Sequence, residues 1–340
     1  MKDSSTPNIL LSCVWPKHVE PCQTDLLYRQ LIICLKSLNH AYPAWHCQIF
    51  TNRSTFLKGC LNEYRQISFL GGDENTYLAH CEDHHIEDFN LAFSKFDAIH
   101  ALCASKKIPP LVLLADVDSI FLRSSKFVNF VKQKHYFSAI NYADEQSEGQ
   151  QLGTIIDWLN KCTGICMERS KKNLNPAWIN SGFILADANT LAWIKEWSIS
   201  LVKTFRTEPQ WIKEKTGGHY GDEIVFSALY EYCGNHKEIS CKSTGRSAAV
   251  FWTVPTQRPT LKILTPWQCH GHLHLPDIKY DAKRLALLEE WIDAKNASWK
   301  IILKLNHLAI KQRLPEWLKK IIGPAAYARL KHAKTPGNNS

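Results

Sequence analysis

The stretch Pro110–Leu122, PLVLLADVDSIFL, decides the fold. Its apolar residues Leu111–Ala115 run without interruption into Asp116-Val117-Asp118, and Ser119 then leads to Ile120-Phe121-Leu122. A short, unbroken apolar run reads as a strand buried on both faces, as in a parallel sheet. Two carboxylates at its C-terminal end stand where open α/β sheets bind ligands. If the strand persists through the pair, side chains at i and i+2 face the same way and both acids reach one ion. Two acids at the edge of a dry core are costly unless positive charge compensates them. Mn²⁺ or Mg²⁺ suits hard oxygen ligands and is commonly shared between a few carboxylates and substrate phosphates. The bland alternative is a surface turn with two solvated acids.

Working outward, strands alternate with helical segments. Asn8–Val14, His46–Phe50 and Gln66–Leu70 read as strands, and Leu26–Leu38 and Phe89–Ala104 as helices. Tyr136–Ile140, Trp178–Leu185 and Leu261–Leu264 are further strands; Leu191–Val202 and Glu223–Tyr232 are helices, the latter entered through the loop Gly217–Asp222. This alternation predicts an α/β fold with a mainly parallel central sheet flanked by helices. The text after Asp277 reads as wholly helical, which divides the chain into a domain over 1–280 and a helical extension over 281–340.

The bulk properties set bounds. The 340 residues are 45% hydrophobic and 21% charged, ordinary values for a globular protein. Twelve cysteines without a C-x-x-C pair imply free thiols in a reducing compartment, not a disulfide framework. No apolar run approaches the length of a transmembrane helix, and the opening MKDSSTPNILLSCVW lacks a signal-peptide pattern. A cytoplasmic location is therefore expected.

The net charge of +9 is concentrated at one end: residues 299–340 carry nine Lys or Arg against the single acid Glu316. The rest is close to neutral, which argues against a nucleic-acid partner. In the tail, Lys300, Lys304, His307 and Lys311 share a helical face, from which Ile302, Leu305 and Ala309 fall away. Pro315 suits the first turn of a second helix and Gly323-Pro324 its end. Trp299 and Trp317 flank a composition that fits an interfacial helix pair over 299–332, peripheral on an anionic membrane. Helices packed on the domain with exposed lysines are the competing reading.

Three further groups could carry chemistry. His270-Gly271-His272-Leu273-His274 would point alternate histidines one way, and imidazole is a competent Mn²⁺ ligand. Trp178-Ile179-Asn180-Ser181-Gly182 and Gly221-Asp222-Glu223 place short polar groups beside glycines, although Asp222 also reads as an ordinary helix start. His80–His85 could bind metal but reads better as a solvated acidic loop. The many tryptophans are mostly packing residues; Trp178, beside Asn180, is the one placed to stack on a sugar ring.

Taken in order, LLADVDSIFL, WINSGFILADANT, GDE opening a helix and a histidine-bearing strand end resemble the GT-A type of nucleotide-sugar glycosyltransferase. The likeness is strongest to the family-8-like nucleotide-diphospho-sugar transferases, over Asn8 to His274. The resemblance implies a Rossmann-like GT-A domain in which Asp116 and Asp118 hold Mn²⁺, ribose and diphosphate. It implies that His270 or His272 completes the metal site, with His274 an alternative. Asn180 and Gly182 would border the donor sugar, and Asp222 and Glu223 would contact sugar or acceptor. Ser12 would lie near the base. Lys95, where the family often has Arg, would touch the diphosphate. The chain departs from the family in lacking H-x-x-G-x-x-K-P-W, which leaves Lys279 without a firm role, and in carrying Gly221-Asp222-Glu223 in place of D-Q. The implied reaction transfers a sugar, by retention, from a nucleotide-diphosphate donor (UDP-sugar favoured) to a glycan or lipid-linked acceptor. Two rival readings are a haloacid-dehalogenase-like phosphatase with Asp116 as nucleophile and a non-catalytic, membrane-docked adaptor.

Overall fold

The computed structural model describes residues 6–16, 19–72, 93–105, 108–133, 136–141, 146–164, 176–207, 209–216, 221–233, 236–240, 271–274, 282–294, 300–301, 303–305, 307, 319 and 321–326. In chain order the elements are β1 (Asn8–Ser12), α1 (Leu26–Ala41), β2 (Cys47–Thr51), α2 (Ser54–Cys60), β3 (Ile67–Gly71), α3 (Ser94–Ala104), β4 (Leu111–Ala115) and β5 (Ser119–Phe121). There follow α4 (Ser125–Val131), β6 (Phe137–Asn141), α5 (Gln146–Thr163), β7 (Ile179–Asp187), α6 (Ala188–Arg206) and α7 (Gln210–Thr216). The last are α8 (Gly221–Tyr232), β8 (His236–Ser240), β9 (His272–His274) and α9 (Ala282–Asp293).

Seven strands form one sheet in the order β3-β2-β1-β4-β7-β6-β8. Strands β3, β2, β1 and β4 are mutually parallel, and β6 pairs parallel to β8. Strand β7 runs antiparallel to both of its neighbours, β4 and β6. The expectation of a mainly parallel α/β sheet holds, and β7 is the exception to it.

The β4 run is apolar throughout because it is covered on both faces. Val112 and Leu114 join a core that includes Phe96, Ile194 and Phe226, from α3, α6 and α8. Leu111, Leu113 and Ala115 face the opposite core, with Leu31 and Leu35 of α1 and Phe127 of α4. Side-chain oxygens close the orphaned helix starts: Asp25 accepts from Tyr28 N, Ser124 from Phe127 N and Asp187 from Thr190 N. The eight cysteines among the described residues are free. Burial pushes the thiols of Cys13, Cys34 and Cys47 above their usual range.

A second, two-stranded ribbon pairs β5 with β9, setting Ser119 opposite His274, Ile120 opposite Leu273 and Phe121 opposite His272. Ile120, Leu122 and Leu273 face a third cluster, in which Ile33 of α1 meets Leu285, Leu288, Trp291 and Ile292 of α9. Ile301 and Leu305 of the extension complete that cluster, and Lys304 lies over the Trp291 ring at 4.9 Å. Lys36 on α1 ties α9 from outside, with ion pairs to Glu289 at 2.9 Å and Asp293 at 3.0 Å. Helix α9, Ile301 and Leu305 thus pack on α1 and the ribbon. Exposed Leu303 and Ile321 leave apolar side chains at the surface. No helix among the described residues is long and apolar enough to cross a membrane. The strand expected at Leu261–Leu264, the loop residues Gly217–Tyr220, and Pro315 and Trp317 lie outside the described residues.

The start of β9 lies hard against α4. Leu122 N donates to Gly271 O at 3.0 Å, and a Cβ at Gly271 would overlap the Phe127 ring. A glycine is required here by close approach, not by backbone conformation. Gly271→Ala should therefore cost about 1–3 kcal/mol, as other overpacked cores do. A lowered urea midpoint with an unchanged slope would be the sign of it.

Candidate functional site

The chain order reverses at β1, which has β2 on one side and β4 on the other, and the C-terminal ends of β1 and β4 form the crevice where such sheets take ligands. Leu11 stands in register with Ala115, so Ser12 and Asp116 emerge side by side from the two strand ends. The strand does not persist through the acidic pair. It stops at Ala115, and Ser119 N donates to Asp116 O at 3.1 Å in a turn that leads directly into β5. Period-two geometry therefore does not extend through Asp116 and Asp118; both ride on the turn between β4 and β5.

At this edge the structure builds a buried charge cluster. Lys95, in the first turn of α3, sends its Nζ to Asp116 Oδ1 at 2.6 Å, Asp222 Oδ2 at 3.0 Å and Ser181 Oγ at 2.7 Å. Ser181 Oγ donates in turn to Asp222 Oδ2 at 2.6 Å. Burial works against the lysine charge, but the carboxylates of Asp116 and Asp222 outweigh it and hold the ammonium above its ordinary range. The side chain next to it, Ser94, shares a 2.5 Å hydrogen bond with Ser12. Four elements thus meet on one lysine and its neighbour: β1, the end of β4, β7 and α8.

Asp222 does not act as the ordinary helix cap. It lies within the first turn of α8, and its carboxylate turns to Lys95 and Ser181. Glu223 beside it accepts from Asn180 Nδ2 at 3.0 Å through Oε1 and from Trp178 Nε1 at 3.2 Å through Oε2. Asn180 Oδ1 accepts from Gly182 N at 3.0 Å, which fixes the amide orientation. Below the carboxylate, Ser227 Oγ donates to Glu223 O at 2.6 Å and accepts from Ile179 N at 2.9 Å. The start of β7 and the first turn of α8 are therefore joined side chain to side chain and backbone to side chain.

The histidines divide. His272 is fully buried, edge-on to Phe121 at 5.3 Å and Phe183 at 5.1 Å. His274 stands opposite Ser119 in the ribbon. His270, Lys279 and the His80–His85 run lie outside the described residues. Among the described residues, no group of three His, Cys, Asp or Glu side chains is placed to hold a metal ion. The donor set still suits a hard cation: Asp116 and Asp118 offer oxygen ligands, and Mg²⁺ or Mn²⁺ regularly takes the rest from phosphate and water.

Of the residues expected from the sequence, Ser12, Lys95, Asp116, Asn180, Gly182, Asp222 and Glu223 take part in the contacts above; Asp118 rides on the turn after β4, His272 lies in the ribbon, and His270 is outside the described residues. Sequence reading missed Ser94 and Ser181. Both adjoin named residues, and a signal was available in the small hydroxyl side chains flanking Lys95 and Asn180. What the sequence does not show is that Ser181 links Lys95 to Asp222.

No protein-family model matches the chain, and no curated protein does. Among solved structures, an active-site mutant of LgtC matches at 14% identity and TM-score 0.48, covering 85% of this chain and 100% of that one. Mouse xyloside xylosyltransferase 1 in its apo form matches at 14% identity and TM-score 0.44, over 81% of this chain and 99% of that one. The glycosyltransferase GlyE of Streptococcus pneumoniae TIGR4 matches at 11% identity and TM-score 0.46, over 88% of this chain and 62% of that one.

Removing the Lys95 charge leaves two carboxylates facing each other at a buried edge. Lys95→Met should destabilise the fold by about 3–5 kcal/mol, measured by urea unfolding near pH 7. Because the folded state raises the lysine pKa, this contribution is complete below the ordinary lysine value. It is lost only as pH climbs through the raised one. The gap between wild type and variant should therefore not narrow as pH rises from about 7 to 9.

Proposed function

We propose that the chain is a GT-A-type, family-8-like glycosyltransferase that moves a sugar from a nucleotide-diphosphate donor, a UDP-sugar by preference, to a glycan or lipid-linked acceptor. The observation that carries the reading is the Lys95–Asp116–Asp222 cluster at the switch point of the sheet, with Asn180 and Glu223 alongside. It joins a site for cation and diphosphate to a row of carboxylate and amide groups able to bind sugar hydroxyls.

In this reading Asp116 and Asp118 hold the ion, with a histidine of 270–274 as a further ligand, and Ser12 lies toward the base. An ion held there would supply Lewis-acid stabilisation of negative charge on a diphosphate. Lys95 places a second, permanent positive charge at the same edge, where a low-dielectric surround strengthens it. Asn180 and Gly182 border the donor sugar. Asp222 and Glu223 face the sugar or acceptor, and their negative charge favours an oxocarbenium-like centre as the leaving group departs. Retention of configuration is our preferred outcome, on the family likeness.

The basic extension would bring the enzyme to an anionic membrane, which suits a lipid-linked acceptor. Ile301 and Leu305 are buried against the domain, so the membrane-facing part would begin beyond them. A truncation after residue 307 should lower binding to phosphatidylglycerol vesicles while leaving donor turnover in place. Equal vesicle binding by the truncated chain removes the membrane role.

The central test is thermal stabilisation by UDP-, GDP- and CMP-sugars with and without Mn²⁺. One donor should raise the melting temperature of the wild type in a Mn²⁺-dependent way, and Asp118→Asn should lose that response. Failure of every donor, or an equal response from Asp118→Asn, defeats the assignment.

A further inference from the structure

We propose that Trp178 is a positioning residue for the Glu223 carboxylate, so that the indole N–H, and not the indole face, is what the site uses. The inference rests on the transferase reading, in which Glu223 faces the sugar or acceptor.

The geometry is specific. Trp178 immediately precedes β7 and Asn180 is its second residue, and both reach the first turn of α8 from the same side. From that side each sends one N–H to a different oxygen of Glu223, Trp178 to Oε2 and Asn180 to Oε1. A glutamate has three side-chain torsions, and a single donor would leave the plane of its carboxylate free to swing. Two donors from one short segment fix both its position and its plane. The backbone beneath is pinned as well, through the Ile179–Ser227–Glu223 relay.

Trp178 is suited to the task by its reach and stiffness. Its N–H sits at the far end of a flat arm with two torsions, and the ring packs against the core formed by α3, α6 and α8. A ring held from behind by that core and at its tip by Glu223 is not a free platform for a sugar. That differs from the stacking role which the sequence suggests for this tryptophan. Hydrogen bonds to charged groups are the strong ones, and a misplaced reacting group costs rate more than it costs binding.

The experiment is a double-mutant cycle on the full chain, reading nucleotide release from UDP-, GDP- and CMP-sugars with Mn²⁺. Trp178→Phe keeps an aromatic ring and deletes the N–H; kcat should fall about 10- to 100-fold while the donor KM stays within about threefold. In the Glu223→Gln background the same change should cost almost nothing further, because the carboxylate that it positions has gone. Replacing the indole at 178 by the isosteric benzothiophene, which has no N–H, should reproduce the Trp178→Phe loss in a protein with wild-type melting behaviour. It keeps the test valid if Trp178→Phe unfolds. A benzothiophene protein as active as wild type, or losses at 178 and 223 that multiply, overturns the proposal. A wild type that releases nucleotide from none of the donors fails at the earlier step. That result sinks the transferase reading and this role together, and it is told apart by the missing wild-type rate.

Discussion

A single ammonium group, Lys95 Nζ, holds the working edge of this protein together. It has three N–H donors and three acceptors around it: Asp116 Oδ1, Asp222 Oδ2 and Ser181 Oγ. Those acceptors come from the end of β4, the start of α8 and strand β7, which are far apart in sequence. Lysine suits such a site because its donors radiate from one point, whereas the flat fork of arginine would reach paired acceptors in a plane. The arrangement is also unforgiving. Buried ion pairs gain little over apolar packing, but losing one partner strands the others in a poor dielectric.

Much of the fold is legible in the sequence because burial on both faces leaves a local trace. The run at Leu111 needed no tertiary information, since a strand covered on both faces is apolar at every position; β1 and β2 keep most of that signal despite Asn8, Gln48 and Thr51, and β3 is half-buried throughout. Short elements such as α2, α4 and β5 were harder. Ser119–Phe121 is apolar enough to pass for a continuation of β4, and only the Ser119–Asp116 turn separates the two. The direction of β7 carries no local signal either. Its two-sided burial is the same whichever way it runs, so its antiparallel pairing is settled by connection and packing alone.

The site was legible in its members and not in its wiring. Carboxylates, an amide and a lysine beside glycines and strand ends attract notice individually. That Lys95 bridges Asp116 to Asp222, or that Trp178 reaches Glu223, depends on distances across 21 and 45 positions of chain or more. Such pairings are tertiary facts. His272 shows the same gap: its place in an alternating run is read from sequence, but its edge-on packing against Phe121 and Phe183 inside the ribbon is not.

The ribbon links α9 to the turn that carries the acidic pair. One face of β5–β9, Phe121 and His272, lies against the sheet; the other, Ile120 and Leu273, lies against α9. Asp118 immediately precedes β5, so the turn that carries the acidic pair is anchored on one side by β4 and on the other by a ribbon under helical clamp. The Lys36 pairs with Glu289 and Asp293 are partly exposed and contribute little by themselves. The apolar cluster of Leu285, Leu288, Trp291 and Ile292 does the holding, because the contribution scales with the apolar area it buries. Helix α9, Ile301 and Leu305 are thereby part of the scaffold beneath the turn that carries Asp118.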